Sequence, residues 1–210
     1  MGHCLMMRKG EVHTKPVPLP TGYTKLAYIQ SNGTQYVDTG FKPTGNTKII
    51  CDFWAYNQTN SQQGVFGSRP GDDARFTLFT GRSTKAFQAD YNTAQSLANE
   101  NEPINGVDLT KRTVVSMSNE LVVNGIVIKS IGLATFLSSR NLYLFANNNS
   151  GVVQLPGSFY LYSCQIYDNG SQIRNFQPCK NSSGDVGLYD LVGKQFYANA
   201  GTGTFTGGEA

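Results

Sequence analysis

The chain has 210 residues, a length that suits one large β domain better than two small ones. Charged residues make up only 15% of it, against ~25% in an average soluble protein. Glycine, serine, threonine and asparagine take their place, which is typical of short strands joined by tight turns and argues against a helical or disordered chain. The net charge of +3 forms no basic stripe, so nucleic-acid binding is not expected.

The first segment, residues 1–18, is polar and basic, and its prolines favour an extended chain. It lacks the apolar core and cleavage site of a signal peptide, and no run of the sequence reaches the ~18 apolar residues that cross a bilayer. Neither export nor membrane insertion is therefore expected. Two interpretations stay open: a disordered tail, with translation beginning at Met6 or Met7, and an arm that docks onto a larger assembly. The anchor residues of such an arm are Arg8, Lys9, Lys15, Pro16 and Pro18.

From Thr21 onward, alternating polar and apolar residues predict one strand after another. "YTKLAYIQ" (23–30) leads through a "SNG" turn into "TQYVDTG" (34–40). The long strand "TKIICDFWAY" (47–56) has two unlike faces, because side chains alternate along a strand. One face carries Ile49, Cys51, Phe53 and Ala55, and the other carries Ile50, Asp52, Trp54 and Tyr56.

The second face of that strand matches a carbohydrate platform, which combines flat aromatic rings with polar groups. Trp54, the only tryptophan of the chain, stands between Asp52 and Tyr56 on this face. Nearby strands are expected to add polar edges. The residues expected to do so are Arg75, Asp90 and Tyr91. The alternative is structural: Trp54 packs under a crossing loop and closes the core.

Residues 64–91 predict three shorter strands, "GVFGSR", "ARFTLFT" and "AFQADY", and residues 92–110 predict a long Asn-rich loop. Asp72 and Asp73 lie between the first two strands. They are consistent with an exposed turn, or with a calcium site completed by backbone carbonyls.

Catalytic groups are scarce beyond the first segment. Both histidines, His3 and His13, belong to residues 1–18, which removes Ser-His-Asp and Cys-His catalysis and the commonest zinc ligand from the body. Glycoside hydrolysis needs two carboxyl groups across a cleft. The only close glutamate pair is Glu100 and Glu102, in the predicted loop, where a solvated surface is the simpler explanation. We therefore expect no enzyme activity and no cofactor.

"RTVVSMSNELVVNGIVIKS" (112–130) predicts three strands in a meander, with turns at Asn119-Glu120 and Asn124-Gly125. The Asn-Gly turn suits a type I′ hairpin, whose central residues both need positive φ. Four further segments bring the total to about a dozen strands: "NLYLFANNN", "GSFYLYSCQIYDNG", "SQIRNFQPCK" and "VGLYDLVGKQFYAN". Without a helical period or an internal repeat, the predicted fold class is all-β, a sandwich or jelly roll.

The four cysteines show neither CxxC spacing nor the density of a disulfide scaffold, so free thiols are expected. One pairing stays open, because Cys164 and Cys179 flank a hairpin turn. The strand "FYLYSCQIY" (159–167) has apolar residues on both faces. This predicts burial on both faces within the sandwich, or else packing of one face against a neighbouring protomer.

Two longer motifs carry a family resemblance. "LPTGYTKLAYIQSNGTQYVDTGF" (19–41) resembles the start of a domain common in phage virion proteins and prophage-encoded tail or surface proteins. "YSCQIYDNGSQIRNFQPCKNSSGDVGLYDLVGKQFYANAGTGTF" (162–205) resembles its end. The resemblance covers residues 19–208 and implies a concanavalin A-like, LamG-type jelly-roll sandwich over residues 19–210. Because this fold serves lectins, glycanases and structural modules alike, it supplies no catalytic residue.

The resemblance implies that the first and last strands lie close together. Residues 187–205 would then form a closing hairpin with its turn at Gly193-Lys194, and the glycines after Ala200 would release the chain. It also implies a non-enzymatic virion component, a capsid decoration protein or a short head or tail fibre. Such a protein would join other virion proteins (capsid or tail) through the arm, as a homo-oligomer made in the host bacterial cytoplasm. The alternative function is a carbohydrate-binding module that recognises host-surface or mucus glycans.

Overall fold

The computed structural model describes residues 17–58 and 61–210, which form two β-sheets around one core. These described ranges contain seventeen strands and no helix, and therefore no helix that could span a membrane. In chain order the strands are β1 (Tyr23–Gln30), β2 (Val37–Asp38), β3 (Thr47–Trp54), β4 (Gly64–Arg69), β5 (Arg75–Thr80), β6 (Phe87–Ala98), β7 (Thr113–Met117), β8 (Glu120–Val123), β9 (Ile126–Ser130), β10 (Tyr143–Leu144), β11 (Asn147–Asn149), β12 (Val152–Gln154), β13 (Tyr160–Asp168), β14 (Ser171–Asn181), β15 (Val186–Asp190), β16 (Gln195–Tyr197) and β17 (Thr206–Glu209).

The chain crosses repeatedly between the two sheets. The larger sheet has ten strands in the order β16-β15-β14-β1-β13-β3-β7-β8-β9, with β17 paired to β1. The smaller sheet holds β2, β4 to β6 and β10 to β12. Neighbouring strands such as β3 and β13 are therefore far apart in sequence. This arrangement is an all-β sandwich of the jelly-roll type, which confirms the predicted fold class.

The core lies between the two sheets and follows the predicted alternation along β3. Ile49, Cys51 and Phe53 are buried on the inner face of the larger sheet. Phe66 and Phe76 are fully buried opposite them on the smaller sheet. Burial of such large apolar side chains is the main source of the sandwich's stability.

The Asn-rich stretch departs from the prediction. It was expected to be a loop from residue 92 onward, yet β6 continues to Ala98. Asn92 and Gln95 adopt positive φ angles of 64° and 51°, and the Ser96 hydroxyl bonds to both the N–H and the carbonyl of Tyr91, so the chain makes a tight turn within β6. Asparagine tolerates positive φ better than most residues, so the residues that signal a loop form a turn that is shorter than predicted.

The meander of β7, β8 and β9 is confirmed, with one shift. Asn124 and Gly125 have φ angles of 50° and 81°, as a type I′ turn requires. The other turn falls at Ser118-Asn119, one residue earlier than predicted. The reason is that Glu120 already pairs with Ser130 as the first residue of β8.

The end of the chain confirms one expectation and corrects another. The last strand does lie beside the first, because β17 pairs with β1, and Gly193 and Lys194 lie in the turn between β15 and β16. The glycines after Ala200 do not release the chain, however. Gly207 and Gly208 belong to β17, where a Cβ would collide with the side chains of Leu26 and Tyr28. Glycine allows this strand to lie close against β1.

The cysteines of the described ranges are free and buried. Cys164 lies opposite Cys51 on β3 and opposite Phe176 on β14, whereas Cys179 lies opposite Lys25 and Gly187. The pairing of Cys164 with Cys179 is therefore wrong, because the hairpin register separates them by three residues. Burial raises the pKa of Cys179 to about 11 and that of Cys164 well above its ordinary value.

These thiols are expected to resist alkylation in the folded protein, because burial disfavours the reactive thiolate. In a Cys4→Ser variant, iodoacetamide at pH 8 should leave Cys51, Cys164 and Cys179 unmodified until the protein is denatured. Mass spectrometry before and after guanidinium treatment measures this directly. Rapid native labelling of Cys179 would contradict the burial described here.

Candidate functional site

Five aromatic side chains meet on the face of the larger sheet that points away from the core. All five are partly exposed. We call them the aromatic patch: Tyr28, Trp54, Tyr56, Tyr160 and Tyr162. Three segments supply them, namely β1, β3 with the second residue after its end, and β13. An exposed group of rings on a rigid sheet is a feature of binding surfaces rather than of cores.

The register of β3 and β13 explains why these rings come together. Trp54 pairs directly with Tyr160, while the adjacent pair of Phe53 and Leu161 is buried on the opposite face. The register shifts between Leu161 and Ser163, so Tyr162 is an extra residue on β13. Tyr160 and Tyr162 lie on the outer face by simple alternation, with Leu161 buried between them. The extra residue reverses the alternation beyond it, so that Gln165 and Tyr167 also face outward.

Trp54 and Tyr160 form the centre of the patch. Their ring centroids are 5.3 Å apart with an interplanar angle of 26°, a stacked arrangement. The Trp54 Nε1–H donates to the carbonyl oxygen of Thr110 at 2.8 Å, which fixes the orientation of the indole. The alternative, in which Trp54 packs under a crossing loop and closes the core, is therefore wrong about the core. A neighbouring loop holds the ring, but the ring lies outside the core.

Two of the three remaining rings flank Tyr160. Tyr56 lies 4.6 Å from it between centroids, and its hydroxyl donates to the carbonyl of Ser31 at 3.0 Å. Tyr28 meets Tyr160 edge to face at 4.6 Å. Since each ring is held by a neighbour, the surface is preorganised and little side-chain entropy remains to be lost on binding.

An ion pair borders the patch on its β7 side. The Arg112 guanidinium donates two hydrogen bonds to the Asp52 carboxylate, at 2.8 and 2.7 Å. The same guanidinium lies 3.8 Å from the centroid of the Tyr162 ring, within cation–π range. Asp52 therefore does two things here: it supplies a polar edge and it holds Arg112 flat against an aromatic ring.

The ionisation of these groups follows from the same contacts. Partial burial raises the pKa of Tyr160, with the neighbouring rings of Tyr28 and Tyr56 adding to the effect. Burial also raises the pKa of Tyr162, although Arg112 opposes it. The hydrogen bonds that Arg112 donates to the Asp52 carboxylate raise the pKa of Arg112. The raised pKa values keep the Tyr160 and Tyr162 hydroxyls neutral at neutral pH.

Three of the predicted platform residues lie elsewhere. Arg75, Asp90 and Tyr91 are on β5 and β6 of the smaller sheet, and all three are buried. Arg75 pairs with Asp72 at 2.6 Å and approaches Asp90 at 4.0 Å. The prediction that these residues border Trp54 is wrong, because β3 and β5 belong to different sheets.

Tyr91 has a structural role instead. Its hydroxyl donates to the carbonyl oxygen of Gly45 at 2.7 Å and accepts from the Ala134 backbone N–H at 3.1 Å. Its ring meets Phe136 edge to face at 5.3 Å. Tyr91 thus joins two loops to β6 from inside the protein.

The carboxylates considered for metal binding and catalysis are exposed or ion-paired in the structure. Asp72 and Asp73 lie in an exposed turn, where Asp72 pairs with Arg75 as described above. Glu100 forms an ion pair with Arg82 at 3.0 Å, while Glu102 is exposed. Within residues 17–58 and 61–210, no cluster of three or more metal-ligating side chains occurs.

Most of the proposed anchor arm lies outside the described residues, namely Arg8, Lys9, Lys15 and Pro16. Pro18 is described, and it borders a cavity of about 740 Å³ on the outer face of the larger sheet. Val17 and Leu19 border the same cavity.

Asp52, Trp54 and Tyr56 are predicted on one face of their strand, and the structure places them on the same side of the larger sheet. Tyr28, Tyr160, Tyr162 and Arg112 were not predicted as part of the site. The signal for two of these was present in "FYLYSCQIY", where alternating tyrosines predicted burial on both faces. The outward tyrosines of that strand are instead partly exposed.

No protein-family model matches the chain, and no curated protein matches it. Among solved structures, a point mutant of NanB sialidase from Streptococcus pneumoniae is similar at a TM-score of 0.45 and 15% sequence identity. The match covers 71% of this chain and 27% of that one, so this chain corresponds to about a quarter of the sialidase. At that level the similarity carries no argument about activity, and it does not bear on a phage origin.

Proposed function

We propose that the aromatic patch binds carbohydrate and that this protein is a non-enzymatic, lectin-like module. The observation that supports this most is the stacked, partly exposed Trp54–Tyr160 pair beside the Asp52–Arg112 ion pair. Aromatic faces pack against the apolar C–H surface of a sugar ring, while adjacent polar groups hydrogen-bond to its hydroxyls. The rigid β-sheet beneath the patch suits this task because it keeps the rings in place.

The absence of catalysis is part of the proposal. Glu100 is paired with Arg82, Asp90 is fully buried, and Glu102 is exposed on the surface. None of these carboxylates lies among the aromatic patch residues, where a bound sugar would be. Asp52 does border the patch, but both of its oxygens accept hydrogen bonds from Arg112.

A glycan-array screen of the full chain is the direct test. We expect a defined set of glycans to bind, with a change in the fluorescence of Trp54, the only tryptophan. Because binding at the patch changes the surroundings of that indole, its emission distinguishes this site from any other. A folded protein that binds no glycan on a broad array would contradict the proposal.

We also propose that the module is displayed on a virion, as a capsid decoration protein or a head or tail fibre. The support is the sequence resemblance of residues 19–41 and 162–205 to phage virion proteins. The first segment would provide attachment to capsid or tail proteins. Deleting residues 1–18 is expected to leave a folded domain that no longer joins particles. Normal incorporation of the truncated protein would refute the role of the arm.

A homo-oligomer is proposed as well. β9 is the last strand at one end of the larger sheet, and its Ile126 and Val127 are each 56% exposed. An unpaired, apolar strand edge readily accepts another strand. Sedimentation velocity of the full chain measures the assembly state, and a strictly monomeric protein would oppose this part of the proposal.

A further inference from the structure

Side-chain amides predominate among the polar residues that line the cavity beside residues 17–19. Its volume of about 740 Å³ lies within the ~300–1,000 Å³ of small-molecule sites. The floor is the outer face of the larger sheet, where polar side chains of β13 and β14 are grouped. We call it the amide groove and define it by Gln165, Tyr167, Gln172, Asn175 and Gln177.

The amides of this groove orient one another and keep hydrogen-bonding capacity free. The Tyr167 hydroxyl donates to Gln165 Oε1 at 2.8 Å and accepts from Gln172 Nε2 at 3.2 Å. Gln177 Nε2 donates to Asn175 Oδ1 at 3.2 Å. A side-chain amide offers two donor hydrogens and an acceptor oxygen, so each of these groups can still bind a partner. Sugar hydroxyls, which both donate and accept, are matched partners.

The amide groove and the aromatic patch share one face of β13. Tyr160 and Tyr162 belong to the patch, and Gln165 and Tyr167 belong to the groove. The buried residues Cys164 and Ile166 between them point the other way, toward the core. Seven residue steps at ~3.3 Å each span ~23 Å, which is long enough for several linked sugar rings.

The charges along this path favour a neutral ligand. No carboxylate borders the groove, and its single ionic residue, Lys25, is exposed. Proteins usually recognise a carboxylate through a two-pronged arginine contact. Arg112, beside the patch, already uses its two prongs on Asp52.

We propose that the amide groove is a second subsite for the same glycan, and that the ligand is a neutral oligosaccharide. The chain lies on the aromatic patch at one end and continues along β13 into the groove. This inference rests on the proposed function, since the patch holds the first sugar rings. It adds the ligand class and a dependence of affinity on glycan length.

The experiment compares short and long neutral glycans on the full chain. The probes are cellobiose and cellohexaose, maltose and maltohexaose, and chitobiose and chitohexaose, measured by calorimetry and by Trp54 emission. The double variant Gln165→Ala/Gln177→Ala removes amides from the groove alone. Gln195→Ala is the matched control, an exposed glutamine on β16 of the same sheet outside the groove.

For the series that binds, the hexasaccharide should bind wild type more tightly than the disaccharide. The double variant should weaken the hexasaccharide about tenfold, as expected for the loss of two hydrogen bonds, and leave the disaccharide unchanged. Gln195→Ala should leave both unchanged, whereas Trp54→Ala should weaken both.

Two results would overturn the inference while leaving the proposed function intact. One is equal affinity of wild type for short and long glycans with no effect of the double variant. The other is preference for oligogalacturonate over every neutral series, which would refute the neutral ligand. If wild type binds none of these glycans and the array is also blank, the proposed function fails together with the subsite.

Discussion

Replacing Trp54 with alanine should weaken glycan binding about 30-fold, equivalent to roughly 2 kcal/mol, and leave the sandwich folded. The indole provides the largest flat surface of the patch and stacks on Tyr160, so its removal also frees the Tyr160 ring. The fold should survive because Trp54 lies outside the core, on the opposite face of β3 from Phe53. Calorimetric titration with a glycan from the array and a thermal melt measure the two effects separately.

Two further variants make this result specific. Trp54→Phe keeps an aromatic face but removes the Nε1 hydrogen bond to Thr110, so it should restore part of the affinity. Phe196→Ala removes a partly buried ring from the same sheet, where it packs on Tyr23 rather than on the patch. Its affinity should equal that of wild type. If Trp54→Ala binds as well as Phe196→Ala does, the sugar lies elsewhere.

The strand pattern was predictable because it depends on local sequence. Alternation along residues 47–56 places Phe53 inward and Trp54 outward, and the structure has them so. The Asn-Gly turn before β9 follows equally from local conformational preference. In both cases the decisive information lies within a few residues of the position concerned.

The composition of the site was not predictable in the same way. Arg75 and Tyr160 both lie on strands of clear pattern, but only long-range pairing decides which strands are neighbours. β13 joins β3 after more than a hundred intervening residues, while β5, much closer in sequence, belongs to the other sheet. The bulge at Tyr162 arises from the pairing itself, so the strand's own sequence does not reveal that Gln165 and Tyr167 face the same way as Tyr160.

Gly45→Ala should be the most destabilising small substitution in this fold, lowering stability by about 3 kcal/mol. A Cβ at this position would overlap the carbonyl of Ala134. The Cβ is fixed by its own backbone and the carbonyl is backbone, so neither can rotate away. Gly45 also donates to the carbonyl of Phe136 at 3.0 Å and accepts from the Tyr91 hydroxyl. A shift that relieves the collision would therefore disrupt hydrogen bonds at the same point.

Gly71→Ala is the matched control, because a Cβ there meets no atom within 4 Å. For a chain of this size, about 3 kcal/mol corresponds to a fall of roughly 10 °C in Tm, and Gly71→Ala should leave Tm nearly unchanged. Trp54 emission should remain native in both variants below their transitions. Gly45 precedes the start of β3 whereas Trp54 is the last residue of that strand, and Gly71 lies between β4 and β5 of the other sheet. A Gly45→Ala protein as stable as Gly71→Ala would mean that the 134–136 segment can move away from Gly45, and that Tyr91 does not hold these loops together.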